Sequence, residues 1–144
     1  MKKTMIYTIC FLFISIAIAW AAVTWHTANE FTVSWDAVTT NVDETAVPAN
    51  EIEYELFVVN AITDPNKTNP TSVWRGPELT HVVTLNTEGQ YLLGIRAIRV
   101  IDGVDQSTSV NVYSDDPAVC QDGVTFGVRY FIPLKNPIGF RPGG

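Results

Sequence analysis

Cysteine, histidine and basic residues are all scarce in this chain, and each scarcity removes a class of function. Of 144 residues, two are cysteine and two are histidine. Cys10 lies in an apolar N-terminal stretch and Cys120 far downstream, so loss of that stretch would leave one thiol and no internal disulfide. Cys120 is then either buried and inert or available for an intermolecular bond. His26 and His81 stand in no HxxxH or Cys/His spacing, which argues against a zinc centre. Nine lysines and arginines face fifteen acids, giving a formal net charge of -6. A surface of that sign repels phosphate backbones and anionic membrane faces, so nucleic acid is a poor partner. Heptads, amphipathic helical periods and internal repeats are also missing beyond the N-terminal segment.

What is present begins with the features of an export signal. Lys2 and Lys3 precede an apolar run from Met5 to Ile18, and Ala19-Trp20-Ala21 is a small-x-small cleavage site. Residues 1–21 are therefore expected to be a signal peptide, with the mature protein starting near Ala22. That places it outside the cell or in the periplasm or cell envelope, with no membrane insertion after cleavage. Met5 to Val23 also approaches the roughly 18 to 20 residues a spanning helix needs. An uncleaved anchor is the alternative, weakened by Thr8, Cys10 and Ser15. No cysteine occupies a lipoprotein-like position after the apolar run. The remaining chain has the size of one domain, enough to bury a core without disulfides or metal.

From Val23 onward the apolar residues recur with period two between clusters of Pro, Gly, Asn and Asp, the pattern of an all-β domain spanning residues 22–132. Val23 to His26 makes a short first strand, and Phe31, Val33 and Trp35 mark the buried face of a second. Asp36 to Asn50 reads as an exposed polar loop. Ile52, Tyr54, Leu56 and Val58 form the buried face of a third strand, with Glu51, Glu53, Glu55 and Phe57 opposite. Ser72 to Arg75 is a short edge strand, and Thr80 to Leu85 leads to a strand alternating at Tyr91, Leu93, Ile95 and Ala97. Asp102-Gly103 is a tight-hairpin signal, followed by alternation from Ser107 to Tyr113. Asp115 to Gly123 interrupts that ladder. Val124 to Ile132 is apolar enough to return to the sheet, and residues 133–144 form a Pro- and Gly-rich tail.

Leu85, six residues before Tyr91, has the spacing of a tyrosine corner, in which a leucine caps a turn and the tyrosine hydroxyl ties back to the preceding backbone. With Trp35 and Tyr54 as core aromatics, these residues make the chain resemble a fibronectin type III domain over about Glu30 to Ser114, of the kind found in exported single-domain proteins of bacterial or prophage origin. The resemblance implies an immunoglobulin-like Greek-key β-sandwich of about seven strands. It implies binding, spacing or assembly rather than catalysis. Two departures stand out. Asn86-Thr87-Glu88-Gly89 replaces the usual proline after the corner leucine, Gly89 being able to supply the turn, and the insert Asp115 to Gly123 has no counterpart. Val124 to Ile132 then either finishes the last family strand or adds one.

Chemistry is sparse beside this. Glu51, Glu53 and Glu55 lie along one open strand, without the apolar pocket that separates the pKa values of paired catalytic carboxylates. Cross-strand pairing with Arg96 on the next strand accounts for them better. Cys120 has no histidine or Gly-rich elbow nearby, so neither a catalytic residue nor a cofactor is expected. Asn41, Asp43 and Glu44, and Asp115, Asp116 and Asp122, cluster without an EF-hand pattern, and no metal is assigned. The leading reading is a non-catalytic interaction or structural module with a protein partner. Its contact residues would be Phe57, Leu92, Arg96 and Ile98 on the outward sheet face, with the loops Thr39 to Asn50 and Ile101 to Ser107. That outward patch either meets a partner or is covered by Phe131 to Phe140 folding back. The alternative is a carbohydrate-binding module that stacks sugars on Trp25, Trp74 and Phe131.

Overall fold

The computed structural model describes residues 22–135 and Ile138. The proposed signal segment and most of the tail lie outside them. Among the described residues no helix is long and apolar enough to cross a membrane. The described chain is nearly all β: β1 (Thr24–Thr27), β2 (Glu30–Ser34), β3 (Ile52–Asn60), β4 (Thr71–Gly76), β5 (Thr80–Thr84), β6 (Gly89–Ile101), β7 (Val104–Thr108), β8 (Val112–Tyr113) and β9 (Phe126–Tyr130). They form two sheets. The larger has the order β1-β9-β6-β3-β4, with β7 and β8 also on β6, and the smaller contains β2 and β5.

Period two decides which residues meet between the sheets. Val33 and Val83 from the small sheet pack with Leu56, Val58, Leu93 and Val128 from the large one, and Leu85 closes this core at one end. Burying each such side chain contributes about 1.5 to 3 kcal/mol. Ile52 and Tyr54 extend the core together with Val47, which anchors the otherwise exposed 36–50 loop. That loop is a small hairpin rather than a free polar segment: Val47 N–H donates to the Thr39 carbonyl at 2.9 Å, and Val38 N–H donates to the Tyr54 hydroxyl at 2.8 Å.

β6 organises the large sheet. One edge pairs with β3 from Tyr91 to Arg99. The other is occupied in turn by β7 at Ile98–Ile101, β8 at Gly94–Ile95 and β9 at Gly89–Tyr91. The Ser107–Tyr113 run therefore divides into two strands, and the segment after the insert continues the same edge. The insert is an excursion with joined ends, since Phe126 N–H donates to the Ser114 carbonyl at 2.8 Å. Ser114 is itself locked to β6, its N–H reaching the Leu93 carbonyl at 2.8 Å and its Oγ accepting Leu93 N–H at 3.1 Å.

The turn chemistry follows the backbone angles. Asp102 and Gly103 have φ of 53° and 75°, the left-handed pair that a two-residue type I′ hairpin requires. At the corner, the Tyr91 hydroxyl donates to the Thr87 carbonyl at 3.0 Å, while Leu85 is buried. Gly89 serves differently from expectation. It has no positive φ, but an added Cβ would lie 2.7 Å from the Asn60 amide and 3.0 Å from the Tyr91 ring.

Candidate functional site

The outward face of the large sheet does not present an apolar patch. Phe57 and Leu92 are 6 % exposed and Ile98 is 0 % exposed. Alternation assigns these residues to that face correctly, but long side chains close over it. Arg96 donates to Glu55 through Nη2 at 2.6 Å and Nε at 2.9 Å, and its guanidinium lies 5.2 Å from the centre of the Phe57 ring. Arg75 on β4 reaches Glu53 on β3 at 2.6 Å and Asp105 on β7 at 2.6 Å. Glu53 is opposite Ile98 in the β3–β6 register, so this bridge crosses above Ile98. Further along, an added Cβ on Gly94 would sit 2.6 Å from the Tyr113 ring, which therefore lies on the bare backbone there. Lys67 stands 5.1 Å from that ring's centre and pairs with Asp115 at 2.6 Å. The face is a minor core under a charged cover, and neither Phe57, Leu92 nor Ile98 is free to meet a partner.

The cover sets its own electrostatics. Burial would raise the Glu55 pKa, but hydrogen bonds from Ser72 and Arg96 outweigh it and hold the carboxyl below its ordinary value. The Arg75 hydrogen bond lowers Asp105 in the same way, and Asp105 with Glu53 raises Arg75.

The tryptophans are also engaged. Trp74 stacks on His81 with ring centres 4.8 Å apart and packs on Trp35 at 5.7 Å. Trp35 meets Tyr54 at 5.7 Å, which places both expected core aromatics between the sheets. Trp25 lies against Gly127, where an added Cβ would be 2.5 Å from its ring, and carries the Arg129 guanidinium at 4.9 Å. Phe131 remains half exposed, beside Ala28 and Pro133. Among the described residues no ring pair therefore offers a stacking platform to a sugar. In the acidic loops the side chains serve the backbone: Asp43 accepts from Thr45, whose hydroxyl lies 2.6 Å away and is the main reason its pKa falls. Among the described residues no three metal-binding side chains converge. The Cys120 thiol donates to the Ser114 carbonyl at 3.3 Å, and burial, with Asp116 and Asp115 nearby, pushes its pKa up, away from the reactive thiolate.

What the fold leaves open lies beside β2. A cleft of about 1000 Å³ enters between the sheets, walled by Phe31 and Trp35 on one side and by Val112 and Val119 on the other, with Leu93 and Ile95 at its floor. Val38, Val119 and Val124 line it and are exposed. Its cause is the placement of β1, which pairs in parallel with β9 rather than with β2. Among the described residues β2 consequently has one partner, β5. Leu85 N–H donates to the Asn29 carbonyl and Trp35 N–H to the Leu79 carbonyl. In an antiparallel pair alternate residues turn toward the partner, so the odd-numbered residues of β2 face β5. The peptide groups of Glu30, Thr32 and Ser34 face the cleft side, where no described residue pairs with them. Trp35 Nε1, at the same wall, is buried with no hydrogen-bond partner among the described residues.

No family model, curated protein or solved structure matches the chain. The arrangement at β2 thus carries the functional argument alone. Of the residues lining it, the sequence marks Arg96 as a contact residue, Trp35 and Tyr54 as core aromatics, and Phe31 and Val33 as a buried strand face. The alternation of Phe31, Val33 and Trp35 marks a strand but does not reveal which of its edges is paired.

Proposed function

We propose that the protein is an exported, non-catalytic interaction or structural module with a fibronectin type III-like fold, and that it holds an extended protein segment against the free edge of β2. The observation that carries this reading is the row at Glu30, Thr32 and Ser34, unpaired among the described residues, beside an apolar cleft. A strand added to an exposed edge gains main-chain hydrogen bonds, while its alternate side chains enter pockets. The family resemblance is supported by the Leu85–Tyr91 corner and the Trp35–Tyr54 contact. It departs from an immunoglobulin-type sheet of order A-B-E-D, which sets its first strand beside the second and its fourth beside the fifth, because β1 here joins β9 and β4 joins β3.

The test is selection from a random-peptide display library against the protein. Enriched sequences should alternate apolar residues, and Thr32→Pro should abolish their binding while leaving thermal unfolding nearly unchanged, because the Thr32 N–H serves no bond to β5. Enrichment indifferent to Thr32→Pro, or no enrichment, refutes the reading.

A further inference from the structure

We infer that the segment filling this cleft is the C-terminal stretch Phe131 to Phe140 of a second copy of the chain, added as a strand parallel to β2. The inference rests on the strand-addition reading above and names its ligand.

After Phe131, which falls on the other parity, Ile132, Leu134, Ile138 and Phe140 share one parity, broken by Asn136, while Pro133, Lys135, Pro137, Gly139 and Arg141 hold the other. This is a strand pattern with one apolar face. The prolines also select the direction of pairing. Glu30, Thr32 and Ser34 direct their peptide groups to the open edge and their side chains outward, where all three are exposed. In an antiparallel addition, hydrogen-bonded residues stand opposite each other on the same face. The outward prolines would then have to donate N–H groups they lack. In a parallel addition, the residues bonding to Thr32 are the two neighbours of the one opposite it. The apolar residues then point into the cleft and make the bonds, and the prolines face away, where proline is tolerated.

The donor is assigned to another molecule because the described tail residues do not enter the cleft of their own copy: Phe131 and Pro133 lie beside Thr27, Ala28 and Asn29, and no described tail residue lines the cleft. Leu134 is 94 % exposed and Ile138 96 % exposed. Ile132 N–H is held by Glu88 Oε1 at 2.6 Å. Ile132 and Asn136 each precede a proline, which biases both to extended backbone, whereas entering the cleft of the same copy needs a reversal immediately after β9. Charge favours the encounter as well: all fifteen acids lie between Glu30 and Asp122, and the tail carries Lys135 and Arg141 with no acid. Asp36 stands at the cleft, and the one arginine or lysine in its lining, Arg96, is paired with Glu55. Each copy offers one donor and one acceptor on different surfaces, which is a heterologous contact and propagates into chains.

Sedimentation velocity of the purified protein, with reductant present to exclude Cys120 disulfides, tests this. Wild type should form oligomers that grow with concentration. Ile138→Asp, placed on an exposed tail residue, should be monomeric, as should Thr32→Pro. Mixing the two variants restores one intact donor and one intact acceptor, so the mixture should stop at a dimer. A monomeric wild type at every concentration, or oligomers that persist in Ile138→Asp, overturns the inference. If Thr32→Pro abolishes binding of display-selected peptides while the oligomers are unchanged, the second-copy ligand is wrong and the strand-addition reading stands. If Thr32→Pro affects neither, both fail.

Discussion

Ile98→Ala should destabilise the protein about as much as a cut into the main core, although Ile98 lies on the charged face of the large sheet. Its side chain has no exposure, and the truncation removes three carbons. At about 0.8 kcal/mol per buried methylene the transfer loss is roughly 2.4 kcal/mol, and incomplete collapse of the space adds to it. The cover over Ile98 is made of flexible side chains, principally Arg75, so collapse is easier than between two sheets. The expected total is about 3 kcal/mol, toward the lower end of the range for such truncations. At roughly 4 °C per kcal/mol for a domain of this size, the Tm should fall by about 12 °C. Thermal unfolding followed by circular dichroism measures this, with Val110→Ala as the control. Val110 is 80 % exposed, so that change should stay within about 0.5 kcal/mol. Arg75→Ala should cost less in the Ile98→Ala background than in wild type, because the two residues share one contact region. A loss below about 1 kcal/mol for Ile98→Ala would mean that water reaches this face and that the charged cover does not close.

Tyr91→Phe removes only the hydroxyl donating to Thr87 at the corner rim, where the bond is exposed. It should cost about 0.5 to 1 kcal/mol in chemical denaturation, and a neutral result would deny the corner a stabilising role. Acid should destabilise the protein through the charged cover. The Glu55 and Asp105 pKa values are lowered on folding, so their contribution is complete above the ordinary carboxylate range and disappears as pH falls through the lower folded values. Stability should therefore be flat from neutrality to about pH 5 and fall below about pH 4. Glu55→Gln should flatten that limb, and a main loss above pH 5 would contradict the assignment.

Strand positions and the two-sheet class were readable because alternation, Asp102-Gly103 and the Leu85–Tyr91 spacing are local. The side of the sheet on which Phe57 and Ile98 lie was equally readable. Their burial was not, because it depends on Arg75 spanning from β4 to Asp105, residues 30 apart in sequence. Whether Trp25 and Trp74 pack on the domain or stay open was undecided in the sequence for a similar reason: Gly127 and His81 meet them only once the strands are in register. The cleft was least legible of all. It follows from the choice of β9 over β2 as partner for β1, and a four-residue strand carries nothing that distinguishes the two.

The parallel pairing of β1 with β9 has a mechanical consequence. Thr24 is opposite Phe126 and Thr27 opposite Arg129. Tension applied to the chain before Thr24 and after Tyr130 therefore pulls the two strands along their length in opposite directions. Their hydrogen bonds are loaded together in shear rather than opened one at a time, so the domain meets a pull on its two ends with the resistance of a clasp.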